Sequence, residues 1–256
     1  MMEFVELTVD DTVALVRLNR PPVNALAEDM ALELKEAFAG CADPGIRSVV
    51  VTGQPHFAAG ADIKGFQATF DSGAEERSAW TLQEAIAVLE SLEKPTIAAV
   101  HGYALGGGLE LAMGADFRYL AVDARVGQPE MLLGLIPGAG GTQRLSRLVG
   151  YQRAKEMVFS GRQVDADEAL EMGLADRVFS TDELLEATLG AAREWATKPT
   201  RAIAAAKKAL NSGFGVPVSE GLLIEREAFN DSFKTEDARE GVAAFIDKRQ
   251  PDFKGR

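Results

Sequence analysis

The chain has 256 residues, of which 46% are hydrophobic and 26% charged, a composition typical of a soluble globular protein that buries a core without disulfide or metal support. Its net charge of −12 disfavours nucleic acid and anionic membranes as partners, because both require a concentrated basic patch. A single cysteine, Cys41, excludes an internal disulfide and favours a reducing, cytoplasmic location, and the first ten residues lack the features of a signal peptide.

The first two-thirds of the chain alternates predicted strands and helices. β-branched or alternating runs indicate strands, and apolar residues at helical spacing indicate helices. In chain order, the predicted elements are the strands Phe4–Val9 and Val13–Leu18, the helix Glu28–Phe38, the strand Ser48–Thr52, the helix Ala74–Leu92, and the strands Thr96–His101 and Phe117–Val122. Repeated units of this kind predict a mainly parallel sheet with right-handed crossovers. The apolar stretch 96–115 contains a histidine, a glutamate and several glycines, which indicate a buried strand and turn and not a membrane span.

Beyond Pro137 the chain is predicted to be mostly helical. Helical spacing recurs in six segments, with N-cap signals at Asp165 and Thr181. The predicted helices are Tyr151–Phe159, Asp165–Met172, Thr181–Trp195, Thr200–Leu210, Ser219–Phe233 and Thr235–Asp247. One short predicted strand, Ala175–Phe179, interrupts them.

A triple glycine, residues 106–108, follows a predicted buried strand and precedes a segment with helical spacing. Such a turn exposes backbone N–H groups at the positive end of a helix, although it can equally serve to pack a helix closely on a strand. Glu110 lies three residues after Gly107 and therefore shares its helix face. Its immediate neighbours are apolar, which favours a partnered or functional carboxylate over a solvated one.

Two further segments become informative together with this turn. Glu130 follows Gly127-Gln128-Pro129, and taken by itself is no more than a charge at a helix N-terminus. The small residues of Phe57–Lys64 leave the main chain accessible, although a tight crossover with Asp62 as a helix cap would show the same pattern. Combined, the three segments predict backbone N–H groups that hold an oxyanion and two carboxyl groups that divide acid and base work.

The remaining reactive side chains do not suggest a second kind of chemistry. His56 and His101 are too few and too isolated to indicate a metal site or a Ser-His-Asp triad, so we interpret both as structural and predict no metal. Cys41 lies beside a predicted helix C-terminus, where the helix dipole disfavours a thiolate, so it is not predicted to act as a nucleophile.

Several segments together resemble the crotonase superfamily, and the resemblance runs the length of the chain. They are Leu18–Leu26, Phe57–Lys64, Ala98–Ala112, Gly127–Glu130, Ile136–Leu145, Phe245–Lys248 and Asp252–Lys254. The resemblance implies an α/β fold in which repeated ββα units form a spiral core, here 1–197, followed by a helical C-terminal trimerisation region, 198–256. It also implies a homotrimer, or a homohexamer made of two trimers.

The same resemblance implies an acyl-coenzyme A thioester substrate and no separate cofactor, since coenzyme A is part of the substrate. The family's oxyanion hole would correspond to the N–H groups of Ala61 and Gly107. The substrate-binding residues would be Ala59, Ala61, Asp62, Ile63, Lys64 and Gly107. Enoyl-CoA hydratases resemble this chain in having both acids: Glu110 would polarise the water that attacks C3, and Glu130 would exchange the proton at C2.

The resemblance therefore implies hydration of trans-2-enoyl-CoA in the breakdown of fatty acids or related acyl-CoA compounds, with two alternatives left open. A Δ3,Δ2-enoyl-CoA isomerase would use Glu130 as its sole proton shuttle, and the opening Pro21-Pro22-Val23-Asn24 also occurs among isomerase-like members. A non-catalytic acyl-CoA-binding paralogue would need neither acid. One hydratase branch binds RNA through a lysine-rich helix, a feature that this sequence lacks. The segment 65–80 is expected to border the acyl pocket.

Overall fold

The computed structural model describes residues 2–73 and 77–256, apart from the side chains at 67, 68 and 78. The strands are β1 (Val5–Asp10), β2 (Val13–Leu18), β3 (Ser48–Gly53), β4 (Thr96–Val100), β5 (Tyr103–Leu105), β6 (Phe117–Ala121), β7 (Arg125–Gly127), β8 (Gln163–Asp165) and β9 (Arg177–Phe179). The helices are α1 (Glu28–Gly40), α2 (Ile63–Ser72), α3 (Arg77–Ser91), α4 (Gly107–Met113), α5 (Gly141–Val149), α6 (Tyr151–Ser160), α7 (Ala166–Glu171), α8 (Leu184–Ala196), α9 (Thr200–Gly213), α10 (Val218–Ser232), α11 (Glu236–Asp247) and a 3-10 helix, Pro129–Leu133.

The larger sheet has the strand order β1-β2-β3-β4-β6-β9 in the described part of the chain. β1 is antiparallel to β2, and every later pair is parallel, so the prediction of a mainly parallel sheet is confirmed. Every residue of β3 and β4 is buried, because helices cover both faces of the sheet. Along β3, alternate residues belong to different cores: Val49 and Val51 pack with α1 and α3, whereas Val50 packs with α8.

A smaller sheet, β5-β7-β8, was not predicted from the sequence. Each of its strands has three residues, which is too short for a periodic pattern to reveal. β5 is parallel to β7, with Leu105 opposite Gly127, and the next residue, Gly106, donates from its N–H to the Gly127 carbonyl at 2.9 Å. This pairing brings the glycine turn and the segment that leads to Glu130 side by side.

The helices agree with the predictions apart from α2, α5 and the start of α8. α2 and α5 were not predicted, since glycines interrupt the apolar pattern at or within both of them. The predicted helix Ala74–Leu92 is found as α3, and its predicted beginning at 74–76 lies outside the described residues. The prediction that Thr181 caps a helix is wrong: α8 begins at Leu184, and the Thr181 hydroxyl instead donates to the Asp123 carboxylate at 3.0 Å.

The predicted cap at Asp165 is confirmed, since its carboxylate accepts from the Glu168 N–H at 2.9 Å. The strand predicted at Ala175–Phe179 is present in shortened form as β9. The other predicted elements are present with ends that differ by up to three residues.

The C-terminal helices leave large apolar side chains in solvent. α9 packs chiefly on α10, and both α10 and α11 expose apolar side chains, namely Leu222, Leu223, Phe229, Phe233, Val242, Phe245 and Ile246. The final residues turn back onto α11, where the Asp237 carboxylate accepts from the N–H groups of Lys254 and Gly255 at 2.6 and 2.8 Å. A domain boundary at 197/198 stays a prediction. Among the described residues, no helix combines the length and apolar character needed to cross a membrane.

Candidate active site

Two backbone segments that lie far apart in sequence run beside each other at one end of the small sheet. Ala58 forms a parallel bridge with Ala104, in which the Ala58 N–H donates to Tyr103 at 2.9 Å and the Leu105 N–H donates to Ala58 at 3.1 Å. Three residues beyond each bridged alanine lie Ala61 and Gly107. Within the described residues, neither of their N–H groups has a protein acceptor. Both are therefore available to a ligand in the space that the two segments share.

The Ala61 N–H is fixed by hydrogen bonds on either side of it. The Leu26 N–H donates to the Gly60 carbonyl at 2.8 Å, and the Asp62 N–H donates to the Leu26 carbonyl at 2.9 Å. Because neighbouring N–H groups in an extended segment point in opposite directions, the Ala61 N–H points away from Leu26. Arg20 strengthens this attachment by donating to the Ala25 carbonyl at 2.7 Å and to the Asp62 carboxylate at 2.8 Å.

Each of the three glycines of the turn has different surroundings, which a side chain at that position would meet. A β-carbon on Gly108 would collide with the Ala58 carbonyl oxygen, so this glycine serves close packing of helix on strand. Gly106 has a positive φ of 52°, and a β-carbon there would lie 2.9 Å from Oε1 of Glu130. A β-carbon on Gly107 would lie 3.9 Å from Oε2 of Glu110. Consecutive glycines of one turn thus face the two predicted acids.

Glu110 lies on α4, and only 2% of it is exposed. Its Oε1 accepts from the N–H groups of Ala139 and Gly141, both at 2.7 Å, which leaves Oε2 turned towards Gly107. Burial raises the pKa of this carboxyl, and the two N–H donors and the Arg144 guanidinium oppose the rise. The side chain is thus held in one orientation by groups that favour its ionised form.

Glu130 lies at the start of the 3-10 helix, close to the glycine turn. Burial raises its pKa to about 7, its own backbone N–H opposes the rise, and the nearby Glu110 carboxylate adds to it. The side chain of Gln128 is fully buried, and in the amide orientation that satisfies its neighbours its nitrogen donates to both carboxylate oxygens of Glu130, at 3.0 and 3.1 Å. Gln128 therefore fixes the orientation of Glu130.

Gln128 and Arg144 are polar residues of the site that the sequence analysis did not single out. Both lie inside segments that carry the family resemblance, Gly127–Glu130 and Ile136–Leu145, and that position is the signal that could have revealed them. Arg144 shows no pattern of its own because its partner Glu90 lies on another helix, and the contact of Gln128 with Glu130, two residues later, follows no regular helix or strand spacing.

The predicted substrate-binding segment runs from the small sheet into α2. The Ala59 N–H donates to the Val23 carbonyl at 3.0 Å, and the Asp62 carboxylate is engaged by Arg20. Ile63 and Lys64 are exposed in the first turn of α2. Asp62 occupies the N-cap position without a side-chain cap hydrogen bond, so the alternative interpretation of Asp62 as a capping residue is wrong.

The two histidines and the cysteine are engaged in packing and in hydrogen bonds to the backbone. His101 Nε2 lies 2.9 Å from the Gly53 carbonyl, and the His56 ring packs on Tyr103. Cys41 is fully buried, and burial raises the pKa of its thiol to about 11 against the opposing charge of Lys94. Such a thiol is unreactive at neutral pH. Within the described residues, no three His, Cys, Asp or Glu side chains are gathered as a metal ion would require.

Comparison with known proteins shows which family the chain resembles. A family model described as enoyl-CoA hydratase/isomerase matches residues 8–256. A probable enoyl-CoA hydratase of Bacillus subtilis is 41% identical, over 99% of this chain and 100% of the relative. A crotonyl-CoA hydratase of Syntrophomonas wolfei is 40% identical, over 98% of each protein. A crystal structure of an enoyl-CoA hydratase subunit from Geobacillus kaustophilus, 37% identical, superposes with a TM-score of 0.91 over 100% of this chain and 99% of that one.

Proposed function

The chain belongs to the enoyl-CoA hydratase/isomerase family, and from that premise we propose that it is an enoyl-CoA hydratase. It adds water across the double bond of a trans-2-enoyl-CoA and gives the 3-hydroxyacyl-CoA. The reaction belongs to the breakdown of fatty acids or related acyl-CoA compounds.

The observation that carries this function is the pair of carboxyl groups that face consecutive glycines of one turn, Glu110 at Gly107 and Glu130 at Gly106. Addition of water to an enoyl thioester places negative charge on the thioester oxygen before C2 is protonated. The N–H groups of Ala61 and Gly107 have no acceptor in the described structure and would stabilise that charge where it develops.

The different surroundings of the two acids support a division of roles. Burial raises the pKa of Glu110, but two backbone hydrogen bonds and a nearby guanidinium oppose that rise, and these contacts suit a carboxylate that polarises the attacking water. Glu130, with a pKa of about 7, carries a proton in a large share of molecules at neutral pH and can deliver it to C2. Paired groups whose environments separate their roles in this way are typical of acid–base active sites.

The two alternatives account for less of the structure. An isomerase with Glu130 as its sole proton shuttle has no use for a buried Glu110 held by two dedicated N–H donors. A non-catalytic acyl-CoA-binding protein would bury a carboxylate at Glu110 at a cost in stability and gain no chemistry from it.

For the substrate, we propose that coenzyme A lies along the backbone from Ala59 to Lys64, with Gly107 at the thioester end. The exposed Ile63 and Lys64 and the free end of α2 support this path, because helix N-termini favour negatively charged ligands. No separate cofactor enters the proposed reaction, since coenzyme A is part of the substrate.

For the assembly, we propose a homotrimer, or a hexamer of two trimers, in the cytoplasm. The exposed apolar side chains of α10 and α11 support an oligomer, because apolar patches of this kind mark interfaces. The tail 245–254 would lie near a neighbouring subunit's coenzyme A, with Lys248 or Lys254 as phosphate partners. The single cysteine supports a reducing compartment.

The direct test of the function is loss of the enoyl thioester absorbance on a series of substrates from four to sixteen carbons. A parallel assay with 3-enoyl-CoA substrates measures isomerisation. We expect hydration to exceed isomerisation with at least one chain length, and hydration to need Glu110. Turnover of 3-enoyl-CoA without hydration of any 2-enoyl-CoA would favour the isomerase.

A further inference from the structure

The carboxylate of Glu110 is held by hydrogen bonds from a glycine-rich loop, which has few side chains of its own to fix its conformation. Both of its hydrogen bonds come from the segment 138–141, which contains three glycines. Gly140 in this segment has a φ of 108°, a conformation that glycine adopts far more readily than other residues. A flexible segment of this kind needs support from outside if its N–H groups are to stay aimed at one oxygen atom.

Arg144, one turn into α5, supplies that support. Its Nη1 donates to the Ala139 carbonyl at 3.0 Å, while the N–H of the same Ala139 donates to Glu110 at 2.7 Å. The remaining nitrogens of the guanidinium, Nε and Nη2, donate to Glu90 of α3 at 3.3 and 2.8 Å. Ala139 is thus held on one side by Arg144 and on the other side by Glu110. The guanidinium also fills the space where a side chain on Gly140 would lie.

The charges around Glu110 can be assigned to the elements that pack on α4. Arg144 faces it from α5, Glu130 faces it from the 3-10 helix, and Glu90 of α3 lies behind Arg144 as its counter-ion. Arg118 of β6 is directed elsewhere, to the carbonyls of Leu174 and Ala115 and to Asp176. Within the described residues, Arg144 is therefore the positive charge that bears on Glu110.

We propose that Arg144 is a positioning residue for the hydration reaction, which stabilises the ionised form of Glu110 and holds Ala139, one of the two N–H donors to that carboxylate. The inference rests on the proposed hydratase function for its kinetic readout. Glu90 of α3 restrains the Arg144 guanidinium, Arg144 of α5 holds Ala139, and Ala139 donates to Glu110 of α4.

The proposal gives a signed pH dependence. Loss of the positive charge raises the pKa of Glu110, since the carboxylate then lacks its opposing charge. Hydration needs Glu110 ionised and Glu130 protonated, so the rate is bell-shaped against pH, and the limbs report the coupled pair. Removing Arg144 therefore moves the acid limb to higher pH and leaves the alkaline limb, which belongs mainly to Glu130, near its place.

The test compares kcat/KM against pH in Arg144→Gln, Arg144→Lys and the control Arg147→Gln, all in the full-length protein. Arg147 lies on the exposed face of the same helix and donates to the Gln143 carbonyl at 2.7 Å. We expect the acid limb of Arg144→Gln to rise by about one pH unit, a modest value for an opposite charge in a protein interior. Arg144→Lys should keep the limb within a few tenths of a unit even where its rate falls, and Arg147→Gln should match the wild type.

A loss of rate in Arg144→Gln that is equal at every pH would overturn the proposal, since a purely structural role predicts that result. An equal shift in Arg147→Gln would also overturn it. Glu90→Gln provides a second variant if Arg144→Gln does not fold: it leaves the charge of Arg144 uncompensated, so the acid limb should move to lower pH, and a rise would contradict the inference.

A measurement that needs no turnover separates this inference from the proposed function. Infrared titration of the protonated carboxyl band, assigned to Glu110 by its loss in Glu110→Gln, reports the ionisation of this residue directly. We expect its midpoint to rise in Arg144→Gln and to stay in place in Arg147→Gln. If the wild type hydrates no enoyl-CoA while the midpoint still shifts in Arg144→Gln, the proposed function is wrong and the effect of Arg144 on Glu110 is confirmed. If the enzyme is active and the midpoint does not move, the proposed effect of Arg144 on Glu110 is wrong and the function is unaffected.

Discussion

Ala58 and Ala104 are bridged in parallel, and this one pairing sets the spacing of the two proposed oxyanion donors. Each donor lies three residues beyond its bridged alanine, so Ala61 and Gly107 arrive at the same end of the pairing. The Gly60 carbonyl and the Asp62 N–H are both bonded to Leu26, which leaves the Ala61 N–H on the free side. Backbone hydrogen bonds therefore set the direction of this N–H, and the Arg20 side chain supports the segment that carries it.

The first prediction concerns the N–H of Gly107. Gly107→Pro removes that N–H at the first position of α4, a place where helices tolerate proline because the N–H is not used by the helix. We expect hydration to fall by about 10²–10³, the usual effect of losing one oxyanion donor. The matched control is Gly107→Ala, which adds a similar β-carbon near Leu26 and Leu82 but keeps the N–H. Circular dichroism and melting curves establish folding; equal activity in two folded variants would exclude the assignment.

The second prediction concerns the paired acids. Glu110→Gln and Glu130→Gln should each reduce hydration by about 10²–10⁴, because each removes a positioned acid or base. Any isomerisation of 3-enoyl-CoA should depend more on Glu130 than on Glu110. Glu84→Gln, on the exposed face of α3, serves as the control for a change of one charge. Near wild-type hydration by Glu110→Gln would show that the two-acid mechanism is wrong.

The third prediction links Glu130 to stability. Its pKa rises from 4.5 to about 7 on folding. The free energy of unfolding therefore falls as the pH increases from 4.5 to 7, because the folded state keeps the proton longer than the unfolded state does. Glu130→Gln removes this loss and should raise the free energy of unfolding at pH 8 by about 1–2 kcal/mol, after an allowance for solvent screening. Urea titrations at pH 8 and pH 4.5 measure the effect. The gain should vanish at the lower pH; a variant that is less stable at pH 8 would contradict the raised pKa.

The fourth prediction concerns Gln128. Its amide donates to both oxygens of the Glu130 carboxylate and so favours the ionised form. Gln128→Leu should therefore raise the pKa of Glu130 and move the alkaline limb of kcat/KM to higher pH, with the acid limb little changed. Gln128→Leu should thus shift the alkaline limb of the pH profile, whereas Arg144→Gln should shift the acid limb. Gln163→Leu, at an exposed position of β8, is the control, and an unmoved alkaline limb in Gln128→Leu would count against the contact.

The fifth prediction concerns assembly. Phe229 on α10 and Phe233 at its C-cap pack against each other with tilted rings, 5.0 Å between ring centroids, and remain 60% and 64% exposed. Replacing both by serine should shift the mass measured by light scattering from the oligomer towards the monomer at micromolar concentration. Val9→Ser removes a similarly exposed apolar side chain from β1 and should leave the mass unchanged. A wild-type protein that is already monomeric would refute the proposed oligomer.

The sequence predicted the parts of the fold that depend on local pattern. The buried strand β3 reveals itself through a run of β-branched residues, and the position of Glu110 relative to Gly107 follows from helix geometry. The family resemblance then supplied the arrangement of the segments that local patterns could not supply. The roles of the site residues remain predictions until variants are measured.

The features that escaped the sequence depend on contacts between distant segments. Arg144 reaches Glu90 across 54 residues, and no periodicity signals such a pair. The three-residue strands β5 and β7 are recognisable as strands only because they pair with each other in the folded chain. The hydroxyl of Thr181 is drawn away from a cap by Asp123, 58 residues earlier, which is a competition that a local cap rule does not include.

The burial of Cys41 has a practical consequence for measuring this protein. The chain's single sulfhydryl is sealed in the core, and its pKa of about 11 makes it unreactive to thiol-directed reagents at neutral pH. A cysteine introduced on the exposed face of α10 would thus become the one labelled position without any change to the native sequence elsewhere. Spin labels or fluorophores placed there would report distances between subunits and the rate at which subunits exchange.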